Sequence, residues 1–185
     1  MTGLQFPLSG STLVTGPSNV GKTRTTAAAL DAWLDSERPA GVVVVLDFAP
    51  EIERNGTVLG GRLDRFITVP EAVWIGRIDA SAPRAESETD GRAIALARKN
   101  ARRAEQQMDA LPENPRAVFV NDATIPFQHD LASVSQLTEY CETADVAVLN
   151  AFDSDELGVD NPVSRAERDA LGRLRRWADR TVDLS

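Results

Sequence analysis

Residues 11–23 read STLVTGPSNVGKT, and this stretch decides the fold. The first five of these residues are typical of a short strand that ends at Gly16. Apolar residues then recur at helical spacing, and they predict a helix from about Gly21 to Glu37. The residues on its apolar face are Ala27, Leu30 and Leu34. The sequence therefore predicts a strand, a tight loop and a helix in direct succession.

The loop between this strand and helix matches the pattern G-x-x-x-x-G-K-[ST] at every position. It reads Gly16-Pro17-Ser18-Asn19-Val20-Gly21-Lys22-Thr23 and is followed by Arg24. Glycines let the backbone fold closely around an anion, and successive N–H groups then point inward. The helix that begins here adds the positive end of its dipole. The octet and Arg24 are therefore predicted to bind a phosphate chain.

Lysine is rare in this chain, so its presence in the loop is unusual. Only two of the 20 basic residues are lysines, Lys22 and Lys99, and the other 18 are arginines. A lysine in this place indicates that a compact ammonium group is needed there. We expect Lys22 to neutralise the β- and γ-phosphates and the Thr23 hydroxyl to ligate Mg²⁺.

On this motif the chain resembles the P-loop NTPase superfamily. The resemblance implies ATP and Mg²⁺ as ligands, a RecA-like core, and transfer or hydrolysis at the γ-phosphate. It does not choose among three functions. An ATPase, an ATP-dependent transferase or kinase acting on a small-molecule acceptor, and a non-hydrolysing nucleotide-dependent switch all stay open.

Turn residues divide the rest of the chain into alternating strands and helices. Predicted strands lie at 42–46, 66–69, 117–120, 146–149 and 181–184, the last at a sheet edge. Predicted helices cover 86–111, a segment that Asp130 caps, and a segment that Ser164 and Glu167 begin as a capping box. This order predicts a three-layer α/β domain over residues 1–185, with five or six mostly parallel strands and helices on both faces.

Two aspartates follow buried strands and are candidates for the second Mg²⁺ ligand. Asp47 follows VVVVL and Asp122 follows AVFVN. Mg²⁺ prefers oxygen ligands. Asp122 is favoured because other strands intervene before the acidic one in the P-loop enzymes that this order resembles. Asp47 or Glu51 is then expected to face a second substrate.

The residue after Asp122 departs from the pattern of P-loop ATPases, which commonly place a glutamate there to polarise water. This chain has Ala123. If the acidic pair is instead aligned with Asn121 and Asp122, the first carboxylate is lost. Slow hydrolysis is expected in either alignment, and Glu51, Asp130 or a partner could supply the base.

A weaker resemblance extends over most of the chain, to the ATP:corrinoid adenosyltransferases. GKTRTTAAAL resembles the start of their first helix, and residues 178–182, ADRTV, resemble their closing segment. The chain departs from them at Asn121-Asp122, where they have Asp-Glu, and at 150–152, where they have Thr-Gly-Arg. The resemblance implies a corrinoid as one candidate acceptor.

The charge and composition of the chain limit which classes of binding partner are expected. The formal net charge is −8, which disfavours binding to nucleic acid or to acidic membranes. Scarce lysine with abundant acidic residues favours a salt-adapted, halophilic protein. The first ten residues lack the pattern of a signal peptide and no run is long enough to span a membrane, so a cytoplasmic location is expected. A homo-oligomer stays open.

Overall fold

The computed structural model describes residues 4–36, 41–54, 56–59 and 61–185. Within these ranges the chain forms eight strands: β1 (Gly10–Gly16), β2 (Val42–Asp47), β3 (Ile52–Arg54), β4 (Thr57–Leu59), β5 (Trp74–Arg77), β6 (Pro115–Asn121), β7 (Val146–Phe152) and β8 (Arg180–Asp183). It forms the helices α1 (Lys22–Leu34), α2 (Pro83–Glu86), α3 (Asp90–Asp109), α4 (Val134–Glu142) and α5 (Pro162–Trp177). Two 3-10 turns lie at Leu63–Arg65 and Ile125–Phe127.

Six strands form one parallel sheet in the order β5-β2-β6-β7-β1-β8. Strands β3 and β4 form a separate antiparallel hairpin. It lies within residues 49–65, a stretch rich in glycine that the sequence predicts as loop. Because all six strands of the sheet run the same way, the carboxyl ends of β1, β2, β6 and β7 meet at one edge. Ligands of open parallel sheets bind at such an edge.

Helices cover both faces of the sheet, so the predicted three-layer α/β fold is confirmed. The apolar run of β2 shows why, since its side chains alternate between the faces. Val43 and Val45 pack with Leu30 and Trp33 of α1. Val44 and Leu46 belong to the opposite core, with buried residues of α3, α4 and α5. The unbroken apolar pattern is therefore that of a strand covered on both sides.

Helix α3 carries a row of alanines along one side, and this side packs on the domain's own sheet. Ala97, Ala101 and Ala104 are fully buried, and Met108 is nearly so. Small side chains let the helix lie close to its neighbours. The predicted helix 86–111 begins later, because Thr89 caps α3 by accepting a hydrogen bond from the Arg92 amide. No helix in the described part of the chain is long and apolar enough to cross a membrane.

The strand predicted at 66–69 is wrong, and the sheet's edge strand is β5. The amides of Phe66 and Ile67 both donate to the Leu63 carbonyl, so they close the 3-10 turn and cannot enter a ladder. The Trp74–Arg77 segment pairs instead with β2. Strand β8 lies at the other edge, as predicted for 181–184.

Two predicted helix starts are also wrong. Helix α4 begins at Val134 with Ser133 at its N-cap, and Asp130 lies exposed in the turn before it. Helix α5 begins at Pro162, and the Asn161 side chain caps it by accepting from the Ser164 amide at 2.8 Å. The predicted end of the first helix, at Glu37, lies outside the described residues.

Candidate functional site

The octet forms the connection between β1 and α1, as predicted. Gly21 is the N-cap of α1 and has a φ of 104°, a conformation that L side chains rarely adopt. At Gly16 the constraint is steric, because an added Cβ would lie 2.4 Å from the Leu184 carbonyl oxygen. Asn19 also has a positive φ, of 61°, which asparagine tolerates well. Each glycine of the motif therefore occupies a position where the backbone conformation or a close contact excludes a larger residue.

A cavity of about 380 Å³ opens beside this loop at the carboxyl edge of the sheet. Most of the predicted phosphate-binding residues line it, together with Asp122: Ser18, Asn19, Gly21, Lys22, Thr23 and Arg24. Gly16, Pro17 and Val20 shape the loop without lining the cavity, and neither Asp47 nor Glu51 lines it. The fold therefore brings Lys22, Thr23 and Asp122 to one cavity and separates them from the other two predicted carboxylates.

Lys22 is mostly buried, with 7% of its surface exposed. Its ammonium group donates a hydrogen bond to the Pro17 carbonyl and lies 5.9 Å from the centre of the Phe152 ring. Burial lowers the pKa of Lys22, and the nearby charges of Asp122 and Glu156 partly oppose this shift. The side chain is therefore held against the loop backbone by the Pro17 carbonyl.

Asp122 is the carboxylate of this cavity. Its φ is 54°, and its amide donates to the Asn150 side-chain oxygen at 3.0 Å. Burial raises the pKa of Asp122 to about 6, although the charge of Lys22 acts in the opposite direction. Among the described residues its carboxylate has no hydrogen bond and no ion pair within 4 Å. An anion held in this way gains from a cation placed against it.

Two buried asparagines hold Asp122 in place. The Asn150 amide donates to Thr26 at 2.8 Å and to the Asn121 oxygen at 2.9 Å. The Asn121 amide donates to Asp47 and to the Gly61 carbonyl, at 2.9 and 2.8 Å. Both asparagines are fully buried. The Asn150 side chain is therefore occupied in supporting the Asp122 backbone.

Asp47 is part of this support and does not line the cavity. Its exposed fraction is 1%, and its two oxygens accept from the Asn121 amide and from the Leu63 N–H. Burial raises the pKa of Asp47, and these hydrogen bonds limit the shift. Glu51 is exposed and pairs with Arg62 at 3.8 Å. The prediction that either faces a second substrate thus has no geometric support.

Polar residues that the sequence did not single out for the site line the far wall of the cavity. Thr124, Gln128 and Glu167 are each less than 5% exposed. Thr124 and Gln128 donate to the same Glu167 oxygen, at 2.9 and 3.1 Å. Glu167 in turn forms an ion pair with Arg84. We call these four residues the far-wall cluster.

Arg84 is the member of this cluster that also contacts Phe152. Its second guanidinium nitrogen donates to the Ser164 hydroxyl at 2.9 Å, and its guanidinium carbon lies 5.5 Å from the centre of the Phe152 ring. Lys22 and Arg84 therefore both contact the same aromatic ring, and both line the cavity. Cations in such positions are held by the ring's quadrupole.

A sequence signal for the far-wall cluster did exist, but it points to a different structure. The spacing of Ser164 and Glu167 is typical of a capping box, whereas in the structure both side chains hold Arg84. Of the two neighbouring arginines Arg84 and Arg92, Arg84 lines the cavity and Arg92 does not. Because Arg84 and Glu167 are far apart in the chain, no local pattern could pair them.

Comparison with known proteins adds no assignment. No protein-family model matches the chain, and no curated protein is detectably similar to it in sequence. The interpretation of the cavity therefore depends on its residues and their geometry.

Proposed function

We propose that the chain binds Mg-ATP in this cavity and promotes transfer or hydrolysis at the γ-phosphate. The observation that carries the proposal is the meeting of Lys22, Thr23 and Asp122 at one cavity beside the motif loop. Lysine and loop amides suit a polyphosphate, and a threonine hydroxyl with a carboxylate suits a metal that accompanies it.

Different residues around the cavity are proposed to bind the phosphates and the base. The amides of the octet and the first amides of α1 donate hydrogen bonds to the negative phosphate oxygens, and Lys22 supplies a full positive charge. Because Lys22 is already buried and its position is held, little side-chain entropy remains to be lost on binding. Arg24 and Phe66 stack at 5.6 Å, and both line the cavity, so they offer a flat surface for the base.

The donor set fits Mg²⁺, which would be held by the Thr23 hydroxyl and the Asp122 carboxylate. Mg²⁺ usually keeps several waters and takes only one or two protein carboxylates, so a single carboxylate is sufficient. A carboxylate that ligates a metal must not already be held in an ion pair. Asp122 forms no ion pair within the described part of the chain. When bound, the metal would neutralise charge on the phosphate oxygens.

Arg84 is our candidate for a cation that acts on the terminal phosphate. Its guanidinium contacts the same Phe152 ring as Lys22, and Glu167 and Ser164 hold it in place. A preorganised cation stabilises charge that develops on a transferred phosphoryl group. We assign this role to Arg84 within its own chain.

The position after Asp122 favours slow hydrolysis. Ala123 is fully buried, and its amide donates to the Asn150 carbonyl at 2.8 Å, so no carboxylate stands there to orient water. Both oxygens of Glu167 are engaged, by Thr124 and Gln128 on one side and by Arg84 on the other. Transfer to a small-molecule acceptor is therefore a second candidate function. A corrinoid acceptor stays a prediction from resemblance.

Titration with ATP in the presence and absence of Mg²⁺ tests the proposal. We expect micromolar binding that Mg²⁺ strengthens, and slow release of phosphate over time, measured with labelled ATP. Binding without phosphate release, in the absence and presence of a panel of small hydroxyl and corrinoid acceptors, would favour the nucleotide-dependent switch. Absence of ATP binding would overturn the proposal.

Replacement of Arg84 should slow the chemical step more than it weakens binding. For Arg84→Ala we expect γ-phosphate loss to fall about 100-fold in a single-turnover assay, because a preorganised cation is lost. Nucleotide affinity should change by about threefold or less, as calorimetry would measure.

Two further variants separate this role from a structural one. Arg84→Lys keeps a cation beside Glu167 but loses the forked guanidinium, and it should still be slow. Arg92→Ala removes an exposed arginine from the same region of the chain and should leave the rate unchanged. Equal rates in wild type and Arg84→Ala would contradict the assignment.

A further inference from the structure

A carboxylate from a different part of the chain contacts the phosphate loop. The Glu156 oxygen accepts a hydrogen bond from the Ser18 N–H at 2.8 Å. Ser18 is a residue of the octet and lines the cavity. A backbone N–H of this loop is a donor that a phosphate oxygen would otherwise use. Glu156 therefore presents to the loop the same chemical group as a ligand would, an anionic oxygen.

Electrostatics agree with this geometry. The charges of Glu156 and Lys22 act on each other, and each shifts the pKa of the other in the direction that favours both charged forms. The hydrogen bonds from Ser18 are the main cause that lowers the pKa of Glu156. Glu156 is therefore an anion at neutral pH, held at the loop by an amide and by the field of the loop lysine.

Two ion pairs anchor the segment directly before Glu156. Asp153 pairs with Arg175 at 2.6 Å, and Asp155 pairs with Arg168. A turn closed by the Gly158 amide on the Asp155 carbonyl, at 2.9 Å, then presents Glu156 and Leu157. Leu157 lines the cavity. The contact is thus made by one exposed side chain of an anchored turn, so Glu156 can rotate away from Ser18 while the ion pairs of Asp153 and Asp155 stay in place.

We propose that Glu156 is an internal competitor for the phosphate chain: its carboxylate occupies the Ser18 N–H and opposes an incoming anion until the Glu156 side chain rotates away. The inference rests on the proposed function, since it concerns regulation of the same cavity. It means that anything which draws Glu156 away, such as a cationic ligand or partner at this turn, would strengthen nucleotide binding. The turn is exposed and available for such a contact.

Calorimetric titration with inorganic pyrophosphate tests the inference, because this probe has the phosphate groups and no base. We expect Glu156→Gln to bind pyrophosphate about tenfold more tightly than wild type, since a competing charged acceptor is replaced by a neutral one. Glu156→Ala should bind at least as tightly as Glu156→Gln. Adenosine, which has no phosphate, should bind all variants equally.

Asp160→Asn is the matched control. It removes one negative charge from the same connection, and Asp160 is exposed and forms no ion pair among the described residues. We expect its pyrophosphate affinity to change by about twofold or less. An equal gain in Asp160→Asn and Glu156→Gln would show general charge repulsion and overturn the specific role of Glu156.

The amide signal of Ser18 gives a readout that needs no ligand. In nuclear magnetic resonance spectra of the free protein, Glu156→Gln should shift the Ser18 amide and Asp160→Asn should not. If wild type binds pyrophosphate and Glu156→Gln neither tightens binding nor moves this signal, the inference fails alone. If no variant binds pyrophosphate or ATP, the proposed function and the inference both fail.

Discussion

Lys22→Ala should lose ATP binding while the fold stays intact. The variant removes the buried cation of the loop, and we expect ATP affinity to fall at least about 100-fold, roughly 3 kcal/mol, in calorimetric titration. The domain should keep its thermal stability, because burial lowers the pKa of Lys22 and the charged side chain is therefore not a stabilising feature of the ligand-free protein.

The chain supplies its own control, because it has one other lysine. Lys99 is exposed on α3, so Lys99→Ala removes the same group from a position away from the cavity. We expect ATP affinity close to that of wild type. Undiminished affinity in Lys22→Ala would refute the site, and an equal loss in both variants would show that net charge alone matters.

Asp122→Asn should have opposite effects on ligand binding and on stability. Asn has the same shape and tolerates the positive φ of this position, so the backbone is preserved. Mg²⁺-dependent ATP binding should weaken at least about tenfold, because a neutral oxygen replaces a carboxylate. The ligand-free protein should become more stable at pH 8, by about 1–3 kcal/mol, because a carboxylate whose charged form is disfavoured by partial burial is replaced by a neutral group.

The gain in stability of Asp122→Asn depends on pH, because the pKa of Asp122 is raised in the folded protein. The pKa of Asp122 is raised from 3.8 to about 6, so the folded protein holds this proton more tightly than the unfolded chain does. Below about pH 4 the carboxyl is neutral in both states, and the variant gains nothing. Between about pH 4 and 6 ionisation progressively destabilises wild type, and above pH 6 the gain is complete. Thermal unfolding of both proteins across this range measures it.

Asp47→Asn is the contrasting variant. Asp47 accepts hydrogen bonds from the Leu63 and Asn121 N–H groups, and an asparagine amide would set a donor against one of them. We expect this variant to lose about 2 kcal/mol of stability and to affect Mg²⁺-dependent binding less than Asp122→Asn does. The reverse order of effects on Mg²⁺-dependent binding would exchange the roles of the two aspartates.

The local parts of the site were predictable from the sequence. A strand, the motif loop and a helix follow one another within residues 10–34, and the structure has them there. Their signals are short-range: apolar periodicity, and glycines where the backbone needs a positive φ or a close approach. The alternation of strands and helices predicted the three-layer sheet for the same reason, since each element's pattern reports its own burial.

Only the tertiary structure decided which acidic residue belongs to the cavity. Asp47 and Asp122 both follow buried strands, but one side chain turns into a hydrogen-bond network and the other, through its positive φ, lines the cavity. The far-wall cluster and the contact between Glu156 and Ser18 join residues 39 to 138 positions apart. Such contacts depend on how strands are ordered and how helices pack, and no local pattern of residues encodes them.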